Sequence, residues 1–67
     1  MAKIQLNGKI ITIRSNVTIY ELLKKYKLNN KKVAIEHNGI IVPANNYKKK
    51  FLRDNDIIEV VHFIGGG

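Results

Sequence analysis

Two copies of one dipeptide constrain this chain more than any other feature. Asn7-Gly8 and Asn38-Gly39 each stand between short runs rich in β-branched residues. Both residues of an Asn-Gly pair tolerate positive φ, as a two-residue type I′ turn requires, so each pair specifies a tight antiparallel hairpin. Around the first, Lys3–Asn7 alternates polar and apolar residues, and Ile10–Arg14 is a β-branched run. Around the second, Val33–His37 and the short Ile40–Val42 read as strands. Pro43 ends the latter. Its missing N–H argues against a central position in a sheet.

Between the hairpins the periodicity changes. Thr18 and Glu21 have the spacing of a capping box, and Val17 and Leu22 that of a hydrophobic staple. Ile19, Leu22, Leu23 and Tyr26 recur at i, i+3, i+4 and i+7, which predicts a helix of about ten residues with one apolar stripe. Asn29-Asn30 offers its stop, since asparagine tolerates the left-handed conformation at a helix end. Beyond Pro43, Asn45–Leu52 suggests a short helical turn and Asp54-Asn55-Asp56 a polar turn. Ile57–Phe63 is the longest strand, with Ile58 and Val60 expected on the core face and Glu59 and Val61 opposite. The order is β-β-α-β-β-turn-β. Inserting the last strand between the hairpins, parallel to the first, gives an α+β β-grasp: a mixed sheet of four to five strands packed on one main helix. The expected division is a folded domain over residues 1–64 and a flexible glycine tail over 65–67.

Sixty-seven residues allow one domain, and a chain this small buries only roughly 60% of its unfolded surface. It contains no cysteine, which excludes disulfides, thiolate metal sites and a cysteine nucleophile. The start shows no secretory signal and no run of membrane-spanning length, so a cytoplasmic protein without a membrane partner is expected. The net charge of +7 comes mainly from lysine, with two arginines among the twelve basic residues. It accompanies many asparagines and isoleucines, a pattern that AT-rich coding can produce by itself. Basic residues are not interleaved with aromatics for base stacking, so no nucleic-acid partner is expected.

The ending, Phe63-Ile64-Gly65-Gly66-Gly67, serves no folding purpose, because glycine has the highest ordering cost and contributes no packing. It supplies reach and slimness instead. Gly65 and Gly66 can thread a narrow channel and present the Gly67 carboxylate to another protein's active site. A carboxylate becomes an electrophile only when activated, typically by adenylation. A sulfur nucleophile that displaces AMP then leaves a thiocarboxylate. Val61, Phe63 and Ile64 form an apolar strip beside the tail, readable as a partner-docking patch or as core.

Taken in order, Leu6-Asn7-Gly8, Thr18–Leu23, Val33–Gly39, Ile41-Val42-Pro43, Asp56–Val61 and Ile64–Gly67 cover essentially the whole chain. In that order and spacing they resemble the ThiS family of sulfur carriers of thiamine biosynthesis. The resemblance implies a ubiquitin-like β-grasp fold and no catalysis by the domain itself. It implies that an adenylating enzyme activates Gly67 with ATP and magnesium, the domain binding no cofactor of its own. A sulfur-relay protein would supply sulfur through a persulfide, and thiazole synthase would consume it. The sequence departs from the family pattern at Ala44, where many relatives carry a basic residue, and at Asn55-Asp56, usually Gly-Asp. Tyr47 takes the aromatic place that follows.

Alternatives stay open at this point. A related molybdopterin-type carrier or a ubiquitin-like modifier would use the same tail, and a small basic RNA-binding module would explain the charge but leave the tail idle. His37 and His62 lack a third ligand at metal spacing and read as surface or sheet-edge residues. Asp54, Asp56 and Glu59 read as turn and strand-surface residues. Ser15, the only serine, lies in a loop and has no triad partners.

Overall fold

A computed structural model describes residues 1–28 and 32–62. Five strands and one helix follow the expected order: β1 (Ala2–Leu6), β2 (Lys9–Ile13), α1 (Ile19–Lys25), β3 (Val33–His37), β4 (Ile40–Val42) and β5 (Ile57–His62). A 3₁₀ turn at Ala44–Asn46 precedes β5. Both Asn-Gly pairs have positive φ throughout, 49° and 83° at Asn7 and Gly8, 53° and 85° at Asn38 and Gly39. Each forms the tight turn of its hairpin. The sheet order is β2-β1-β5-β3-β4, with β5 parallel to β1 and antiparallel to β3. This is the ubiquitin-like β-grasp arrangement, and Pro43 follows the edge strand β4, where its missing donor costs no ladder bond.

Strand pleating sends alternate residues to opposite faces. Ile4, Ile35 and Ile58 point from three neighbouring strands onto Ile19, Leu22 and Leu23 of α1, and these six side chains are almost completely buried. Ile58 and Val60 lie on this core face as expected, while Val61 faces away. For a domain of this size, deleting one such side chain removes about 2–5 kcal/mol, a large share of total stability.

The N-terminus of α1 is satisfied donor by donor. Thr18 Oγ1 accepts from the Glu21 N–H at 3.2 Å, and Glu21 Oε1 accepts from the Thr18 N–H at 3.0 Å, closing the capping box. The first two helical N–H groups, which have no partner within a helix, reach across the chain instead. Ile19 donates to the Lys50 carbonyl and Tyr20 to the Tyr47 carbonyl, both at 3.0 Å. The segment between β4 and β5 is therefore a backbone cap for the helix, anchored by the buried Tyr47 and Leu52.

The other helix end differs from expectation. α1 has seven residues and stops at Lys25; Asn29-Asn30 lie outside the described residues. Lys27 takes the left-handed conformation (φ 56°), its N–H bonds the Lys24 carbonyl, and the Leu28 N–H bonds the Leu23 carbonyl at 2.9 Å. That pair of bonds is a Schellman motif, closed by Leu28 packing onto the core. Because the helix has ended, Tyr26 caps it rather than continuing the apolar stripe, and is 42% exposed.

A lysine in left-handed geometry carries a steric cost of about 1–2 kcal/mol that glycine avoids, less glycine's greater chain entropy. Lys27→Gly is expected to stabilise the domain by about 0.5–1 kcal/mol, read as a raised urea midpoint with an unchanged slope. Lys27→Ala should give no gain.

Candidate functional site

The tail is delivered by β5, so the site begins with what holds that strand. β5 sits centrally. β3 pairs along its length from Ile58 to His62, but β1 pairs only with Ile57 and Ile58 before turning away at Asn7-Gly8. Where β1 departs, the turn residue itself takes over. The Asn7 N–H donates to the Ile58 carbonyl at 2.9 Å, and Asn7 Oδ1 accepts from the Val60 N–H at 2.7 Å. The other hairpin does the same from the opposite side. The Asn38 N–H donates to the Ile57 carbonyl at 2.8 Å, and Asn38 Oδ1 accepts from the Ile57 N–H at 2.7 Å. Each asparagine was legible as a turn residue. Its second role, gripping a strand far along the chain, carries no local sequence signal.

Below the start of β5 lies a polar cluster that corrects the reading of His37 and shows the turn residue Asp56 to be buried. Asp56 is buried, and its carboxylate accepts from His37 Nε2 at 2.7 Å, the Arg53 N–H at 2.8 Å and Asn38 Nδ2 at 3.0 Å. His37 is accordingly no free surface histidine but an anchor between β3 and the start of β5. Burial pushes the Asp56 carboxyl up. The Arg53 backbone donor, the Asn38 amide and His37 together outweigh it and hold the carboxyl below the usual aspartate value. Asp54 accepts the Lys3 N–H at 2.7 Å, and Asn55, at φ 71°, adopts the conformation expected of the glycine it replaces.

The predicted site residues divide cleanly. Val61 is 58% exposed on the sheet face away from α1, opposite Ala34 of β3, which removes it from the core. Phe63, Ile64, Gly65, Gly66 and Gly67 lie outside the described residues. Three exposed isoleucines that sequence reasoning did not single out, Ile10, Ile41 and Ile57, stand on the same face as Val61. An apolar residue at an outward strand position was the available signal. Among the described residues, no group of three histidine, aspartate or glutamate side chains is placed to hold a metal.

Comparison with known proteins converges on one family. Residues 4–67 match the ThiS family, a match that runs through the three glycines. The chain is 45% identical over 65 residues to the sulfur carrier protein ThiS of Bacillus subtilis, covering 96% of this chain and 98% of that one. It is 37% identical to part of a thiazole synthase from Paramagnetospirillum magneticum, covering 97% of this chain but 20% of the enzyme. The crystal structure of the thiamine biosynthesis protein ThiS from Geobacter metallireducens superposes with a TM-score of 0.84 at 28% identity, covering 97% and 99% of the two chains.

The asparagine clamps and the Asp56 cluster each make a measurable prediction. Asn38→Gly keeps the turn but deletes the acceptor for Ile57 and a donor to Asp56; it should destabilise by about 1–3 kcal/mol. Asn7→Gly loses a single side-chain bond and should be milder. Chemical denaturation of both variants tests the ranking.

The acid limb of stability should also depend on Asp56. With its pKa lowered on folding, the unfolded chain takes up the proton first, so the contribution is present above the unfolded value and lost as pH falls through the folded one. Glu21, held below its ordinary value by the Thr18 backbone and hydroxyl, acts in the same direction. Asp56→Asn should flatten the decline of the thermal midpoint between about pH 5 and pH 2.

Proposed function

Since the chain belongs to the ThiS family, we propose that Gly67 is the residue that carries its sulfur. The protein is a sulfur carrier protein of thiamine biosynthesis, a substrate for partner enzymes and not an enzyme. Family membership implies work with an activating enzyme and with the thiazole synthase machinery. The observation that carries the assignment to Gly67 is the family match itself, because it extends to residue 67 and so takes in Gly65, Gly66 and Gly67.

In this reading residues 1–64 are the folded handle and residues 65–67 the tail. The Gly67 carboxylate attacks the α-phosphate of ATP in the adenylating enzyme, which also holds the magnesium, and pyrophosphate leaves. The terminal sulfur of a persulfide on a relay protein then attacks the acyl carbon and displaces AMP, giving an acyl disulfide. A second thiol attacks the relay protein's sulfur, forms a disulfide with it, and releases the C-terminal thiocarboxylate. Gly65 and Gly66 leave the thread without side chains. Val61, Phe63 and Ile64 contact the enzyme that receives it. Thiazole synthase is the sulfur acceptor, a reading supported by the relative in which a matching domain and a thiazole synthase share one polypeptide. Work of this kind belongs in the cytoplasm, and no described helix is long and apolar enough to cross a membrane. The positive charge needs no nucleic acid in this account.

Incubation with the host's adenylating enzyme, a sulfur source, ATP and magnesium should raise the intact mass by the difference between sulfur and oxygen. Fragmentation should place the change at Gly67. A Gly67 deletion should abolish it with no change in thermal midpoint. A mass shift that maps elsewhere, or that survives the deletion, would remove Gly67 from the role.

A further inference from the structure

The sheet face turned away from α1 holds an arrangement that folding does not explain. Across the central strands, Glu36 of β3 stands directly opposite Glu59 of β5. Like charges placed directly across an antiparallel pair oppose folding. The other three carboxylates of the chain all hold the structure together: Glu21 in the capping box, Asp54 on the Lys3 N–H, and Asp56 in the His37 cluster. Glu36 and Glu59 do neither. The ion pair found among the described residues joins His37 to Asp56, and neither glutamate takes part in it. The chain has twelve basic residues and five acidic ones, and the two carboxylates with no hydrogen-bond or ion-pair partner among the described residues face each other.

Their surroundings are apolar and open. Ile41 is opposite Glu36 on β4, and Ile57 and Val61 flank Glu59 along β5. All three are exposed, at 62%, 45% and 58%. A pair of acceptors ringed by aliphatic side chains fits one chemistry well. A planar guanidinium has five donors in a rigid fork and is weakly hydrated, so it can bridge two carboxylates while its stem packs on the isoleucines; a lysine ammonium is a strongly hydrated point charge.

We infer that this face is the docking surface for thiazole synthase, and that Glu36 and Glu59 together receive one arginine of that enzyme. The inference rests on the sulfur-carrier reading and adds the surface and the recognising group. Three observations favour this occupant. The paired negative charge calls for a cationic group on the partner. β5, which contributes Glu59 and Val61 to the face, is also the strand that leads to residues 63–67. A domain matching 97% of this chain occupies a fifth of a thiazole synthase polypeptide, and joining the two keeps them at high effective concentration. Lys3 shares the face by alternation with Ile4.

The test uses the full chain and the thiazole synthase of the same organism. Calorimetric titration should give a Kd about tenfold weaker for Glu36→Gln and for Glu59→Gln. The double variant should lose little more than either single one, because both carboxylates hold the same guanidinium. The free variants should melt no lower than the wild type, since neutralising either glutamate relieves the repulsion; weakened binding then cannot be a folding defect. Unchanged Kd values in a wild type that binds the synthase and gains sulfur at Gly67 overturn the docking proposal alone. So does a loss confined to thiocarboxylate formation, which would assign the face to the adenylating enzyme. A wild type that neither binds the synthase nor gains sulfur overturns the carrier reading and this inference with it.

Discussion

The structure depends on the capture of β5 between two hairpins that are complete without it. Each hairpin is local, made by an Asn-Gly turn and adjacent strands, and each leaves one strand edge unpaired. β5 closes both edges and contributes Ile58 to the centre of the core. Its parallel pairing with β1 is short, so the ladder alone would leave the Val60 N–H without a partner on that side. The Asn7 carboxamide supplies it, and Asn38 supplies its counterpart near Ile57. The same two side chains therefore turn their own hairpins and fasten the last strand. A polar group left unsatisfied there would cost more than a typical hydrogen bond gains, which makes these asparagines hard to replace by other turn-forming residues.

That design suits a carrier. The strand that precedes the tail is central in the sheet, held by β1 and Asn7 as far as Val60 and by β3 as far as His62. Chemistry is then left to partners. The described part of the molecule offers a surface to be recognised, with its aliphatic side chains and paired carboxylates on one sheet face. Most of its lysines lie on the helix, in loops and at turns. Net charge describes this protein poorly: +7 overall, it sets two glutamates opposite each other on the sheet face turned away from α1.

Much of the fold was legible from residues alone. The Asn-Gly turns, the Thr18-Glu21 capping box and the Ile58/Val60 core face were each readable because the physics that produces them acts within a few residues. The asparagine content, open to explanation by base composition, has a structural cause at four places: Asn7, Asn16, Asn38 and Asn55 all have positive φ. Errors arose where a distant group intervened. The helix was expected to run to Asn29-Asn30, yet it closes at Lys25 because Leu28 packs on the core and draws Lys27, a poor left-handed residue, into the turn. Tyr26 left the apolar stripe for the same reason. His37 read as a surface or sheet-edge residue, and Asp56 only as a turn or strand-surface residue, because nothing within five positions of either one predicts a partner 19 residues away.

Sequence by itself determined the elements and their order, since turn propensity, capping and periodicity are properties of short segments. Tertiary structure decided the rest. It set Val61 outside the core, converted the segment after Pro43 into a cap for the helix, and buried Asp56 under three donors. It also brought Glu36 and Glu59 face to face, a pairing that depends on the register between β3 and β5. Register is fixed only when the apolar faces of all the strands meet one core, and no local stretch of the chain contains that information.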